Sequence, residues 1–154
     1  MASTDAGEVA SRGTAEPGTI DMGLEVVTLP VSDVDRAMRF YESLGWRFDI
    51  DLDGGEGRRT VQFTPTHSRC SIHFGTGITS AEPGSADRLI LAVEDIDAAR
   101  EDLIARGVEV GEVSAAGPGG ERSYFATAEF SDPDGNGWVL QEITERLPGR
   151  EWED

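Results

Sequence analysis

The chain has 154 residues, and thirteen Lys and Arg against thirty Asp and Glu give a formal charge of −17. That is the size of one domain, and its negative surface argues against nucleic acid and anionic lipid as partners while favouring cationic ligands. There is no apolar run near the roughly 18–20 residues of a membrane span, no secretory signal in residues 1–20, and one cysteine, Cys70, so the expected setting is the cytoplasm.

Residues 1–20 are rich in Gly, Ala, Ser, Thr and Glu and carry no apolar period, which predicts a disordered tail. A single domain is expected over residues 21–146, followed by a polar tail over 147–154 in which Trp152 is a candidate to fold back. Val27, Leu29 and Val31 alternate with Val26 and Thr28, the pattern of a strand with two unlike faces. A helix then starts at Ser32 or Asp33 as N-cap and shows an apolar stripe of Val34, Met38, Tyr41 and Leu44, ending at Gly45. Three further strands are expected over residues 46–51, 60–64 and 70–75, with the DLDGGEG stretch at 51–57 as a turn.

After a linker at residues 76–85 the same grammar returns. Leu29 falls on Leu91, Val31 on Val93, Asp33 on Asp95, Asp35 on Asp97, Ala37 on Ala99 and Gly45 on Gly107, a constant spacing of 62 residues. Leu89, Leu91 and Val93 alternate with Arg88, Ile90 and Ala92, and a second helix is capped at Glu94 or Asp95 with Ile96, Ala99 and Leu103 as its stripe. Strands are expected over residues 108–113, 122–130 and 137–144, with DPDGNG at 132–137 as a turn. The fold class is therefore α+β, two tandem βαβββ modules at residues 23–75 and 86–145.

The residues VTLPVSDVDRAMRFYESLGW, VEDIDAAREDLIARGV and FSDPDGNGWVLQEIT resemble the vicinal oxygen chelate superfamily, which includes glyoxalase I, extradiol dioxygenases and bleomycin-resistance proteins. The resemblance covers residues 23–145 and implies a curved, cup-like mixed sheet, helices on its outer face and a ligand on the concave side. Metal-dependent members place one ligand near the start of each module's first strand and one in each last strand. Carried over, those positions fall on Val26, His73, Arg88 and Val139. Two valines and a guanidinium offer no lone pair and one imidazole is not a site, so no metal and no cofactor are expected. Glu25 and Glu142 neighbour these positions, but strand alternation turns them the other way. His67, the other histidine, lies in a turn.

Alternation also sends Val26, Thr28, Ser71, His73, Arg88, Ile90, Val139 and Gln141 to the concave face, an apolar wall with a few convergent polar groups. Gln62, Tyr124 and Trp46 are further candidates. Trp138 reads as core, Cys70 as an inert strand thiol, and the glycine-rich segment at 111–120 as a hairpin loop at the cup's mouth rather than a phosphate loop. Two functions follow. One is a metal-free protein of the bleomycin-resistance kind that holds a small, cationic ligand in a cup, working as a homodimer. The other is a glyoxalase-like lyase or isomerase, or a dioxygenase-like enzyme, either metal-free with His73 and Arg88 as catalytic residues or using relocated metal ligands.

Overall fold

The structure is a computed structural model that describes residues 16–114 and 116–152. The expected tail at 1–20 falls mostly outside the described residues; Ile20, Met22 and Leu24 at its end are exposed. Seven strands and two α-helices follow in the order β1 (Val26–Thr28), α1 (Val34–Ser43), β2 (Arg47–Gly55), β3 (Arg58–Thr64), β4 (Ser71–Thr76), β5 (Leu89–Val93), α2 (Ile96–Ala105), β6 (Thr127–Ser131) and β7 (Gly137–Glu142). The architecture is α+β in two modules, each with one helix.

Both helices begin where a carboxylate closes the first turn. Asp33 accepts from Arg36 N at 3.0 Å and Asp95 from Ala98 N at 3.1 Å, each satisfying a backbone N–H that has no partner within the helix. Each helix ends two residues before a glycine in the left-handed region, Gly45 (φ +81°) and Gly107 (φ +91°), a conformation that would strain any L side chain.

Module one forms a four-stranded sheet in the order β1-β4-β3-β2, with β1 parallel to β4. Its β2 is longer than expected: the ladder runs on to Gly55, and the turn is only Glu56 and Gly57, both at positive φ, which suits the twist of a tight hairpin. Module two forms a three-stranded sheet, β5-β7-β6, with β5 parallel to β7. The expected strand at 108–113 builds no ladder. Its one backbone bond to β6 among the described residues is Gly111 N to Glu129 O at 2.9 Å, and just beyond it Ser114 N donates to Thr127 O at 2.8 Å while its hydroxyl accepts from Thr127 N at 3.1 Å. The expected strand at 122–130 is shortened to Thr127–Ser131 because Ser123–Phe125 turn, with Tyr124 at φ +68°.

Each sheet packs one face on its own helix, and the two packed faces share a single core. Leu29, Val61, Phe63 and Phe74 come from the first sheet, Phe130, Trp138 and Leu140 from the second, with Tyr41 and Leu44 of α1 and Ile96 and Leu103 of α2 between them. The modules meet through aromatic rings: Trp46 lies edge-on to Trp138 with centroids 5.1 Å apart, and Trp138 stacks on Phe130 at 6.2 Å. The turn at 132–137 bolts this junction. Asn136, fully buried, donates to Pro30 O at 2.9 Å and to Asp132 at 2.8 Å while its carbonyl accepts from Ala86 N at 3.0 Å, so one side chain holds the approaches to both modules. Asp134 accepts from both the N–H and the hydroxyl of Ser32, and Arg36 adds an ion pair at 3.1 Å.

The C-terminal segment folds back through Trp152, whose Nε1 donates to Ile143 O at 3.2 Å beneath the Arg146 guanidinium, 4.3 Å from the ring centroid.

Candidate functional site

The face of the first sheet turned away from α1 carries Val26, Thr28, Ser71, His73 and Gln62, placed together by register: Val26 sits opposite Ser71, Thr28 opposite His73, and Gln62 opposite His73 on the other side. The equivalent face of the second sheet carries Ile90, Val139 and Gln141, with Ile90 opposite Val139. These two faces do not meet within one chain. The two surfaces belong to separate sheets, and the other face of each sheet packs into the common core.

On the first surface, Thr28 Oγ1 and His73 Nε2 are 2.5 Å apart. Partial burial lowers the His73 pKa below its ordinary value, so the ring is neutral at pH 7 with one nitrogen engaged. Beside it lies a polar network that alternation alone misses. The register shifts between Phe48 and Ile50 make Asp49 the extra residue of a bulge. Its carboxylate lands on this surface, accepting from Thr64 Oγ1 at 2.5 Å, Gln62 Nε2 at 3.1 Å and Arg47 Nε at 2.6 Å. Thr64 in turn lies 2.6 Å from the Ser71 hydroxyl, and both are buried. Desolvation disfavours the Asp49 charge, but the bonds from Arg47, Thr64 and Gln62 outweigh it and hold the carboxyl below its usual range. The sequence-level signal for Asp49 and Thr64 was slight: two polar residues flanking strand positions, indistinguishable from exposed ones until the bulge is known.

On the second surface, Val139 is buried and Ile90 is half exposed. Gln141 donates Nε2 to the Tyr124 carbonyl at 2.8 Å. Arg88 is not part of β5. It precedes the strand at φ +56°, in the left-handed region, so the alternation that assigned it to the concave face is interrupted there. It is exposed and joins none of the ion pairs among the described residues. Trp46 and Trp138 belong to the core junction rather than to either surface. Glu142 points to the helix side as alternation requires, accepting from Ile96 N at 3.2 Å and pairing with Arg122 at 3.4 Å. Burial and nearby Glu25 push the Cys70 thiol up, away from a reactive thiolate.

The metal-bearing positions of the fold do not fit a metal here. Val26 and Val139 have no donor atom, Arg88 has no lone pair, and His73 Nε2 is engaged by Thr28. Among the described residues no three His, Cys, Asp or Glu side chains gather to replace them.

A cleft of about 460 Å³ lies elsewhere, between residues 107–109 and β6, bordered by Phe40, Phe130, Glu109 and Glu129. It opens because residues 108–110 peel away from the edge of β6. The glycine-rich loop that follows is held by Arg100, which donates to Gly111 O at 2.7 Å, and by Gly117, which presses on the Phe125 ring with no room for a Cβ.

Residues 23–140 match the family model described as Glyoxalase/Bleomycin resistance protein/Dioxygenase superfamily. Among solved structures, the chain is similar to TnmS3, an antibiotic binding protein from Streptomyces sp. CB03234, at 31% identity and a TM-score of 0.66, covering 82% of this chain and 99% of that one. It is also similar to a member of the glyoxalase/bleomycin resistance protein/dioxygenase superfamily from Sphaerobacter thermophilus, at 28% identity and a TM-score of 0.65, covering 79% and 98% of the two chains. A lactoylglutathione lyase from Agrobacterium tumefaciens shares the fold at 18% identity and a TM-score of 0.58, covering 82% and 96%. No curated protein sequence matches the chain.

Proposed function

The chain belongs to the Glyoxalase/Bleomycin resistance protein/Dioxygenase superfamily, and on that premise we propose that it is a small-molecule-binding protein that works without a catalytic metal. The observation that carries this reading is the donor set: valine, arginine and valine stand at three of the four positions where a metal would be held, and the fourth, His73, is bonded to Thr28. The similarity to an antibiotic binding protein supports a ligand of that size class. The charge of −17 favours cations by long-range attraction.

The binding cup is completed by a second copy of the chain. A single chain carries its two candidate surfaces on separate sheets, whereas a small-molecule site needs walls that face each other. A homodimer that sets one copy's Val26–His73 surface against the other's Ile90–Gln141 surface supplies those walls. It also covers Ile50, Leu52 and Ile90, large apolar side chains left exposed on the sheet faces.

A thermal-shift screen of cationic antibiotics, aromatic metabolites and carboxylates, with light scattering for oligomeric state, tests the proposal. Specific binding raises the melting temperature through mass action, and Val139→Trp, which fills the floor of the second surface, abolishes the shift. About one Ni, Zn, Fe or Mn per chain after mild purification, lost in His73→Ala, overturns the metal-free reading in favour of an enzyme.

A further inference from the structure

On the two candidate surfaces two amides and one hydroxyl are oriented by hydrogen bonds to the protein. Gln62 Nε2 donates to the Asp49 carboxylate and Gln141 Nε2 to the Tyr124 carbonyl. Carboxylates and peptide carbonyls only accept, so each amide is locked with its nitrogen on that side and its Oε1 turned away. Among the described residues neither Oε1 receives a hydrogen bond.

The Ser71 hydroxyl is fixed by the same logic. Thr64 Oγ1 has one hydrogen, and it goes to Asp49 Oδ2. In the bond between Thr64 and Ser71 the donor must therefore be Ser71. Ser71 Oγ is left with lone pairs alone, as are the two amide oxygens. The ionised Asp49 sets two of these three orientations.

We propose that the ligand surfaces favour hydrogen-bond donors: the molecule held there offers N–H or O–H groups to Gln62 Oε1, Gln141 Oε1 and Ser71 Oγ, and molecules carrying only acceptors, which can meet no more than the second N–H of each amide, are held less tightly. This rests on the reading that the ligand sits on these faces. An acceptor-only molecule would leave three oxygens desolvated and unpaired, which costs more than a hydrogen bond gains. Neutral phenols, amides and protonated amines all qualify. Carboxylates and phosphate esters do not.

Calorimetric titration of the full-length protein with a naphthalenediol and a biphenyldiol, each against its own dimethyl ether, tests this. The diols are expected to bind about tenfold or more tightly than the ethers, with the difference narrowing in the Gln62→Met/Gln141→Met variant, which leaves only Ser71 Oγ as acceptor. Asp49→Asn provides a second readout. Its amide can donate to Gln62 Oε1, which lets Gln62 turn its NH₂ toward the ligand, so the preference for diols narrows or reverses. Ethers binding wild type as tightly as diols overturns the inference while leaving the ligand-face reading intact. Failure of every probe to bind overturns both.

Discussion

Tyr41 and Asp132 are bonded across the junction of the two modules: the phenol donates to Asp132 Oδ2 at 2.9 Å while accepting from Trp138 Nε1 at 3.0 Å. Tyr41 is fully buried, and its burial together with the Asp132 charge pushes the phenol pKa above its ordinary value, so it stays a donor at any working pH. The bond joins α1 of module one to the 132–137 turn of module two. Tyr41→Phe strips partners from a buried carboxylate and a buried indole N–H at once, and a loss of about 1–3 kcal/mol is expected. Urea unfolding measures it; an unchanged midpoint would mean that the two modules are held by ring packing alone.

The Asn136 side chain makes three hydrogen bonds with no exposed surface. Asn136→Ala orphans the Ala86 N–H, leaves Pro30 O with Gly84 N as its one donor and opens a cavity at the junction, and a larger loss than at Tyr41, about 3 kcal/mol or more, is expected. Asn136→Asp sets a second carboxylate against Asp132 and should be worse at pH 7 than at pH 5, because the charged form is the disfavoured one. Melting temperatures at the two pH values decide this.

Gly75 lies opposite Thr60 in the β3–β4 ladder, and a Cβ there would fall 1.7 Å from the Arg59 carbonyl oxygen. Gly75→Ala must push β3 and β4 apart beside His73, with an expected cost of about 1–3 kcal/mol or more. Soluble, fully stable Gly75→Ala protein would contradict the register described here.

His73 contributes a pH dependence whose sign follows from its lowered pKa. The unfolded chain takes up the proton near the ordinary value of 6.5, and the folded chain only at lower pH. Stability is therefore fully present above about pH 6.5 and declines as the solution is acidified toward the folded pKa. Unfolding free energies at pH 7 and pH 5 should differ less in His73→Phe than in wild type. Asp49, whose pKa is also lowered, acts in a separate window near and below 3.8. An identical slope in the variant would show that His73 titrates as it does in the unfolded chain.

Much of this architecture is legible in the sequence, because caps, glycine stops and alternation are local physics. The spacing of 62 residues places both helices, Asp33 and Asp95 cap them, and Gly45 and Gly107 end them. The same alternation correctly separates Val27 and Leu29, which pack in the core, from Val26 and Thr28. Where local rules failed, a long-range contact or a backbone irregularity had intervened. One inserted residue, Asp49, brings a carboxylate onto the face that carries Gln62 and His73, and the left-handed backbone at Arg88 interrupts the parity counted back from Ile90. Residues 108–113 have strand-like composition, yet among the described residues they make one backbone hydrogen bond to β6, from Gly111 N to Glu129 O. How the two sheets share one core was likewise outside the reach of the sequence pattern. Periodicity decides which side chains share a face, but the packing of Tyr41, Trp46 and Phe130 around Trp138, residues as far as 97 positions apart, decides where each face points.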